Sequence, residues 1–170
     1  MPEYTCTWES AGNQLLAEHG LHIATVRKSM SGFAPWEGNG ICSPLPKTAK
    51  SFAILAHEVG HKALGHNGKG KSCVHEYEAE QFAIQQFKRF GFAMPREVKL
   101  RMNRHIADGL AQALNRGMKD VPKELRPYKK MLRTRRSAGS IVQVKDGVET
   151  ARCYNVRRYV VKAKDGLYVE

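Results

Sequence analysis

At 170 residues, 42% hydrophobic and 26% charged, the chain has the length and composition of one globular domain, or one domain with a small appendage. Its formal charge of +12, from 28 basic against 16 acidic residues, favours acidic partners, nucleic acid above all, and says nothing about fold. No apolar run approaches the roughly 20 residues that cross a bilayer, which excludes a membrane-spanning helix. Cys6, Cys42, Cys73 and Cys153 form no C-x-x-C pair and the N-terminus carries no secretory pattern, so a reduced, cytoplasmic protein is expected.

In chain order, Ser10 to His19 reads as a short helix stopped by Gly20, and Leu21 to Arg27 as a strand. Gly32 to Gly40 is loop chemistry, and Ile41–Ser43 is a second short strand closed by Pro44 and Pro46. A strongly apolar helix is expected from about Thr48 to His66, ended by Asn67-Gly68-Lys69-Gly70-Lys71. The next helix runs from a Ser72 cap to about Arg89, with Ala79, Phe82, Ala83, Phe87 and Phe90 on its buried face. Val98, Met102, Ile106 and Leu110, spaced by four, predict a helix over 95–116, and 122–132 suggests another. From Ser140 the chain turns β-branched and aromatic, with Asp146-Gly147 and Asp165-Gly166 as hairpin signals. This predicts a three-stranded antiparallel meander over 140–170, joined by a linker at 133–139 to a unit spanning 1–132.

The chemistry concentrates in His57-Glu58-Val59-Gly60-His61. Residues four apart on a helix lie about 40° apart around its axis, so the two imidazoles point the same way and can share one zinc ion. Glu58, about 100° round from His57, is placed to act as general base on an attacking water rather than as a ligand. A chain of this composition contains roughly 0.02 such patterns by chance. The competing interpretation is a pair of partly exposed histidines that merely hydrogen-bond. A catalytic zinc needs a third protein ligand, and His66, Cys73, His75, Glu76, Glu78 and Glu80 are available. On a continuing helix His66 sits about 140° from His61 and one residue short of the metzincin position, which argues against it. Glu78 points roughly opposite to Glu76 and Glu80, so only one set can face the metal, and hydrophobic periodicity does not say which.

The run from Ala56 to His66, followed by Glu78-Ala79-Glu80-Gln81-Phe82-Ala83 and Met94-Pro95, resembles the ImmA/IrrE family of zinc metallopeptidases over residues 10–95. The resemblance implies an α+β, zincin-like core with a short N-terminal sheet, an HExxH helix and a ligand helix. It also implies zinc held by His57, His61 and Glu78, Glu58 as general base, and a protein substrate such as a regulatory repressor. The helix after the ligand departs from the family's leucine-rich ending, and the C-terminal sheet has no place in the pattern. The group steadying the oxyanion is not identified by sequence; His75 and Tyr77 are the candidates, each of which is equally an ordinary surface or packing residue.

Between 95 and 136 lie 13 Lys or Arg against 4 Asp or Glu, a net +9. The excess reads either as a solvated helix face or as a phosphate-contacting, DNA-binding surface around Arg126, Lys129, Lys130, Arg133, Arg135 and Arg136, with Tyr128 available to stack on a base. A faint helix-turn-helix look over Leu15–Lys28 is outweighed by its helix-then-strand reading. The leading expectation is therefore a zinc metallopeptidase. Its alternative is a nucleic-acid-binding module whose zinc is structural or inactive.

Overall fold

Two threonines open helices by the same device. Thr7 starts α1 (Trp8–Glu18) and Thr48 starts α2 (Ala49–Ala63), each with its hydroxyl accepting from the backbone N–H three residues on, while a serine there answers the threonine's own N–H. This is a capping box with serine in place of the usual glutamate, satisfying two orphan donors at once. The computed structural model describes residues 6–68, 70, 72–145 and 148–161. Helix α1 starts two residues before its expected boundary, because the Trp8 indole belongs to the core: its ring lies 5.6 Å from both Phe52 and Phe87 and 3.9 Å from Phe92.

After α1, β1 (His22–Val26) pairs in parallel with β2 (Gly40–Ser43). The strand at 22–26 excludes the helix-turn-helix reading of this stretch. On the other side of β2, Phe33 bridges Cys42 in antiparallel fashion through two backbone hydrogen bonds of 2.8 and 2.9 Å. That bridge holds the Ser31–Ala34 segment over α2.

Helix α2 is apolar nearly all round, with Phe52, Ala53, Leu55, Ala56 and Val59 fully buried, so it forms the centre of the domain rather than one side of it. It packs against α1, β2 and α3 (Ser72–Arg89). Next come α4 (Arg96–Asn115) and a 3₁₀ helix (Lys123–Met131), whose Leu125, Tyr128 and Met131 close a second core with Cys73, Ile106 and Leu110. The sequence places Tyr128 on a possible nucleic-acid surface; instead its ring is only 5% exposed and packs against Tyr77, so it is not available to a base.

The C-terminal region is an antiparallel pair, β3 (Leu132–Lys145) with β4 (Val148–Val161), in continuous register from Leu132↔Val161 to Lys145↔Val148. The expected linker at 133–139 is thus strand, because pairing with β4 satisfies its backbone whatever its polar side chains. A meander is not shown: two strands are present, and the expected third, near Tyr168-Val169, lies outside the described residues, as do both Asp-Gly turns. Asn115 anchors the hairpin to α4, its side chain exchanging hydrogen bonds of 2.8 and 3.0 Å with the Tyr159 backbone. Among the described residues no helix is long and apolar enough to cross a membrane. The fold is therefore α+β, with a two-stranded parallel sheet beside a helical core.

Gly60, inside the HExxH pattern, sets the distance between α2 and α3. A Cβ there would lie 3.2 Å from the Ala79 Cα and 3.1 Å from the Phe82 ring, and the first of these neighbours is backbone. Alanine gains about 1 kcal/mol of helix propensity over glycine, against about 1–3 kcal/mol for overpacking. Overpacking wins, so Gly60→Ala is expected to lower the melting temperature by about 2–4 °C, measured by calorimetry on metal-free protein; an unchanged or raised value means the helices have room to spare.

Candidate metal centre

Helix α2 ends earlier than its sequence suggests, and the way it ends shapes the site. Gly65 takes a left-handed φ of 69°, its N–H bonds to the Lys62 carbonyl, and the His66 N–H bonds to the His61 carbonyl at 2.9 Å. This is a Schellman stop, for which glycine is the favoured residue. His66 is thereby turned back onto the helix, and its Nδ1 comes 2.9 Å from His61 Nδ1. The 140° separation of a continuing helix does not arise.

His57 and His61 do share a face, with their Nε2 atoms 3.0 Å apart. The carboxylate that joins them is Glu76: its Oε2 lies 3.2 Å from His57 Nε2 and 3.6 Å from His61 Nε2. Glu78, the ligand implied by the family resemblance, is not brought to this pair; its Oε2 lies 3.0 Å from His66 Nε2 on an exposed part of α3. The physical reason is rotation of α3: residues 76 and 78 are about 200° apart on a helix, and the turn that buries Ala79 and Ala83 presents Glu76 and Glu80 to α2.

A tetrahedral zinc about 2.0–2.1 Å from each donor holds those donors about 3.3 Å apart. The observed separations of 3.0, 3.2 and 3.6 Å bracket that value, so the three residues fit the ion. Two further groups bring three donors within 4.8 Å of one another, His57 with Glu80 and His105, and His66 with His75 and Glu78. The first of these shares His57 with the Glu76 group and the second adjoins it through the His66–His61 contact, and a neutral imidazole that turns one nitrogen to a metal carries its proton on the other. With both Nε2 atoms turned inward, His61 Nδ1–H donates to His66, whose Nε2–H then donates to Glu78. On the other side, His57 Nδ1 lies 3.4 Å from Oε1 of the fully buried Glu80, which accepts from His105 Nδ1 at 2.9 Å. The 3.4 Å contact has an ion-pair separation without hydrogen-bond geometry, and His57 Nδ1 and Glu80 Oε2 have no hydrogen-bond partner among the described residues. These outer groups thus orient the two helix histidines, as carboxylates and carbonyls commonly do for metal-bound imidazoles.

The electrostatics are those of a site built around positive charge. Burial alone would lower the His57 pKa, yet Glu76 and Glu80 outweigh it and raise it to about 10. Burial would raise Glu80, yet His105 and His57 hold it down at about 2. Glu76 is likewise lowered against the effect of its burial by His57 and His61. His66 is lowered, chiefly by burial, in keeping with a neutral relay between His61 and Glu78.

Glu58 is 7% exposed and lines the same cleft of about 310 Å³ as His57, His61 and Glu76. Its pKa is raised, chiefly by burial. Gly32 passes directly over its carboxylate, where a Cβ would collide with Oε1, so the Ser31–Ala34 segment needs glycine to cover the base without displacing it.

No protein-family model matches this chain, and neither a curated protein nor a solved structure matches it. The site is therefore assembled from its own residues. His75 stacks on His66 with ring centroids 4.2 Å apart, and Tyr77 packs with the second core; neither lines the cleft. His105 does line it, with Nδ1 held by Glu80 and Nε2 3.5 Å from Glu76 Oε2. Sequence reading passed over His105 because it sits in a basic helix beside the apolar stripe; its only signal was a position one turn after Arg101, next to Met102 and Ile106.

Proposed function

We propose that this chain is a zinc metallopeptidase in which His57, His61 and Glu76 hold the ion and Glu58 is the general base. The observation that carries this is the convergence of those three donors at 3.0–3.6 Å in a cleft walled by a buried glutamate. Bound there, zinc supplies Lewis acidity and makes a water easier to deprotonate. Glu58 takes the proton from the attacking water and passes it to the leaving amine; its raised pKa brings it nearer the operating pH, as proton transfer in both directions requires. His105, held by Glu80 and lining the same cleft, is the candidate donor to the carbonyl oxygen as it gains charge, a role that requires a proton on Nε2 as well as on Nδ1. Phe33 and Trp36, 52% and 57% exposed at the cleft's edge, offer apolar surface to a peptide rather than to a small polar substrate. The nucleic-acid reading retains its exposed Arg126, Lys129, Lys130 and Arg133 but loses Tyr128.

The test is zinc stoichiometry together with cleavage of a peptide library. One zinc per chain and chelator-sensitive cleavage are expected; a full complement of zinc with no cleavage of any peptide would leave a structural site. Binding should also release protons. Metal-free His57, with its pKa near 10, is protonated at pH 7–8, so zinc displaces about one proton per ion, read by calorimetry in buffers of different ionisation enthalpy. The release falls toward zero as pH rises through about 10. The raised pKa also stabilises the metal-free fold: that contribution is complete below the ordinary histidine value of 6.5, declines above it, and is lost as pH passes about 10.

A further inference from the structure

Beyond the metal cleft, α4 borders a second cleft of about 540 Å³, and the two share Arg101 and His105. Arg101 is half-buried. Unlike Arg89, which is paired with Glu18, it enters no ion pair among the described residues. A guanidinium kept charged and partly desolvated in a cleft, with five donors in a planar fork, is suited to a carboxylate brought by a ligand. It stands one helical turn from His105, about 5.4–6 Å along the axis, which is the span of one to two residues of extended peptide. His105 in turn stands 3.5 Å from Glu76.

Resting on the peptidase reading, we infer that Arg101 forms a specificity subsite for a peptide carboxylate, on an acidic side chain or at the C-terminus, within two residues of the scissile bond. Lys50 and Arg104 line the outer cleft with it, as do Glu97 and Asp108 from the same helix α4, so the lining carries a small positive excess.

The binding test uses metal-free protein and three tetrapeptides: acetyl-Ala-Ala-Glu-Ala-amide, its glutamine counterpart, and acetyl-tetra-alanine with a free C-terminus. Dissociation constants come from NMR titration. A peptide carrying a carboxylate is expected to bind about 10-fold more tightly than the glutamine amide. Arg101→Gln should erase the difference, Arg101→Lys should keep part of it, and equal melting temperatures would show that the variants are folded. Preference for the glutamate peptide assigns the subsite to a side chain, and preference for the free acid assigns it to a chain end. Equal binding of all three to the wild type, or a preference that survives in Arg101→Gln, overturns the inference. Because no zinc is needed, a protein that binds acids through Arg101 but never cleaves refutes the peptidase and leaves the subsite. A zinc-dependent peptidase indifferent to acids does the reverse.

Discussion

Glu76→Ala is expected to strip the protein of zinc, whereas Glu78→Ala leaves it loaded. The two residues are the same amino acid on one helix turn, so the contrast isolates geometry. Glu76 Oε2 completes a triangle with the two inward Nε2 atoms, and removing it leaves two imidazoles, one ligand short of a catalytic site. Glu78 meets His66, which itself meets His61 on the outward nitrogen. Its loss removes an orienting partner, for which a 10–100-fold weakening of affinity is typical; at micromolar free zinc a site of nanomolar strength stays occupied. Metal analysis after gel filtration reads the result directly. Zinc retained in Glu76→Ala and lost in Glu78→Ala would restore the ligand set His57, His61 and Glu78 and show that α3 turns by about half a revolution relative to the present structure.

That pair of residues also shows where sequence reading stops. The order and approximate limits of α1, β1, β2, α2, α3 and α4 follow from periodicity and caps, since Thr48, Ser72 and the glycines at 20, 91 and 117 are local signals. Which face of α3 meets α2 is not local. It is decided by burial of Ala79 and Ala83 together with Glu80, a fully buried carboxylate that polarity alone would assign to solvent. Its burial is offset by His57 from α2 and His105 from α4, partners separated from it in sequence by more than 20 residues. The resemblance to ImmA/IrrE peptidases points to Glu78 on α3, whereas the carboxylate beside His57 and His61 is Glu76, two residues earlier on the same helix, a choice that only packing makes. His66 went astray for a smaller reason: a glycine that reads as tolerable within a helix in fact ends it, and the histidine after it folds back. In the C-terminal half, Arg133–Gly139 reads as a linker because its polar, glycine-ended sequence carries no local sign of the backbone pairing with β4 that makes it strand.

Glu58→Gln is expected to lower kcat/KM by about 10²–10⁴-fold while zinc content stays at one per chain. The substitution keeps the size of a side chain that Gly32 covers closely enough for a Cβ there to collide with it. It removes only the ability to take and return a proton. The donor triangle of His57, His61 and Glu76 does not include Glu58, so loss of zinc in this variant would mean that Glu58 binds the ion and that another group is the base. Gly32→Ala serves as the companion variant: its Cβ occupies the space of the Glu58 carboxylate and should impair turnover with zinc retained, although the carboxylate itself is intact. If Glu58→Gln cleaved peptides as fast as the wild type, the buried glutamate would be a structural acid and the water would have to lose its proton to another group in the cleft, such as His105, which is outside the donor triangle and 3.5 Å from Glu76.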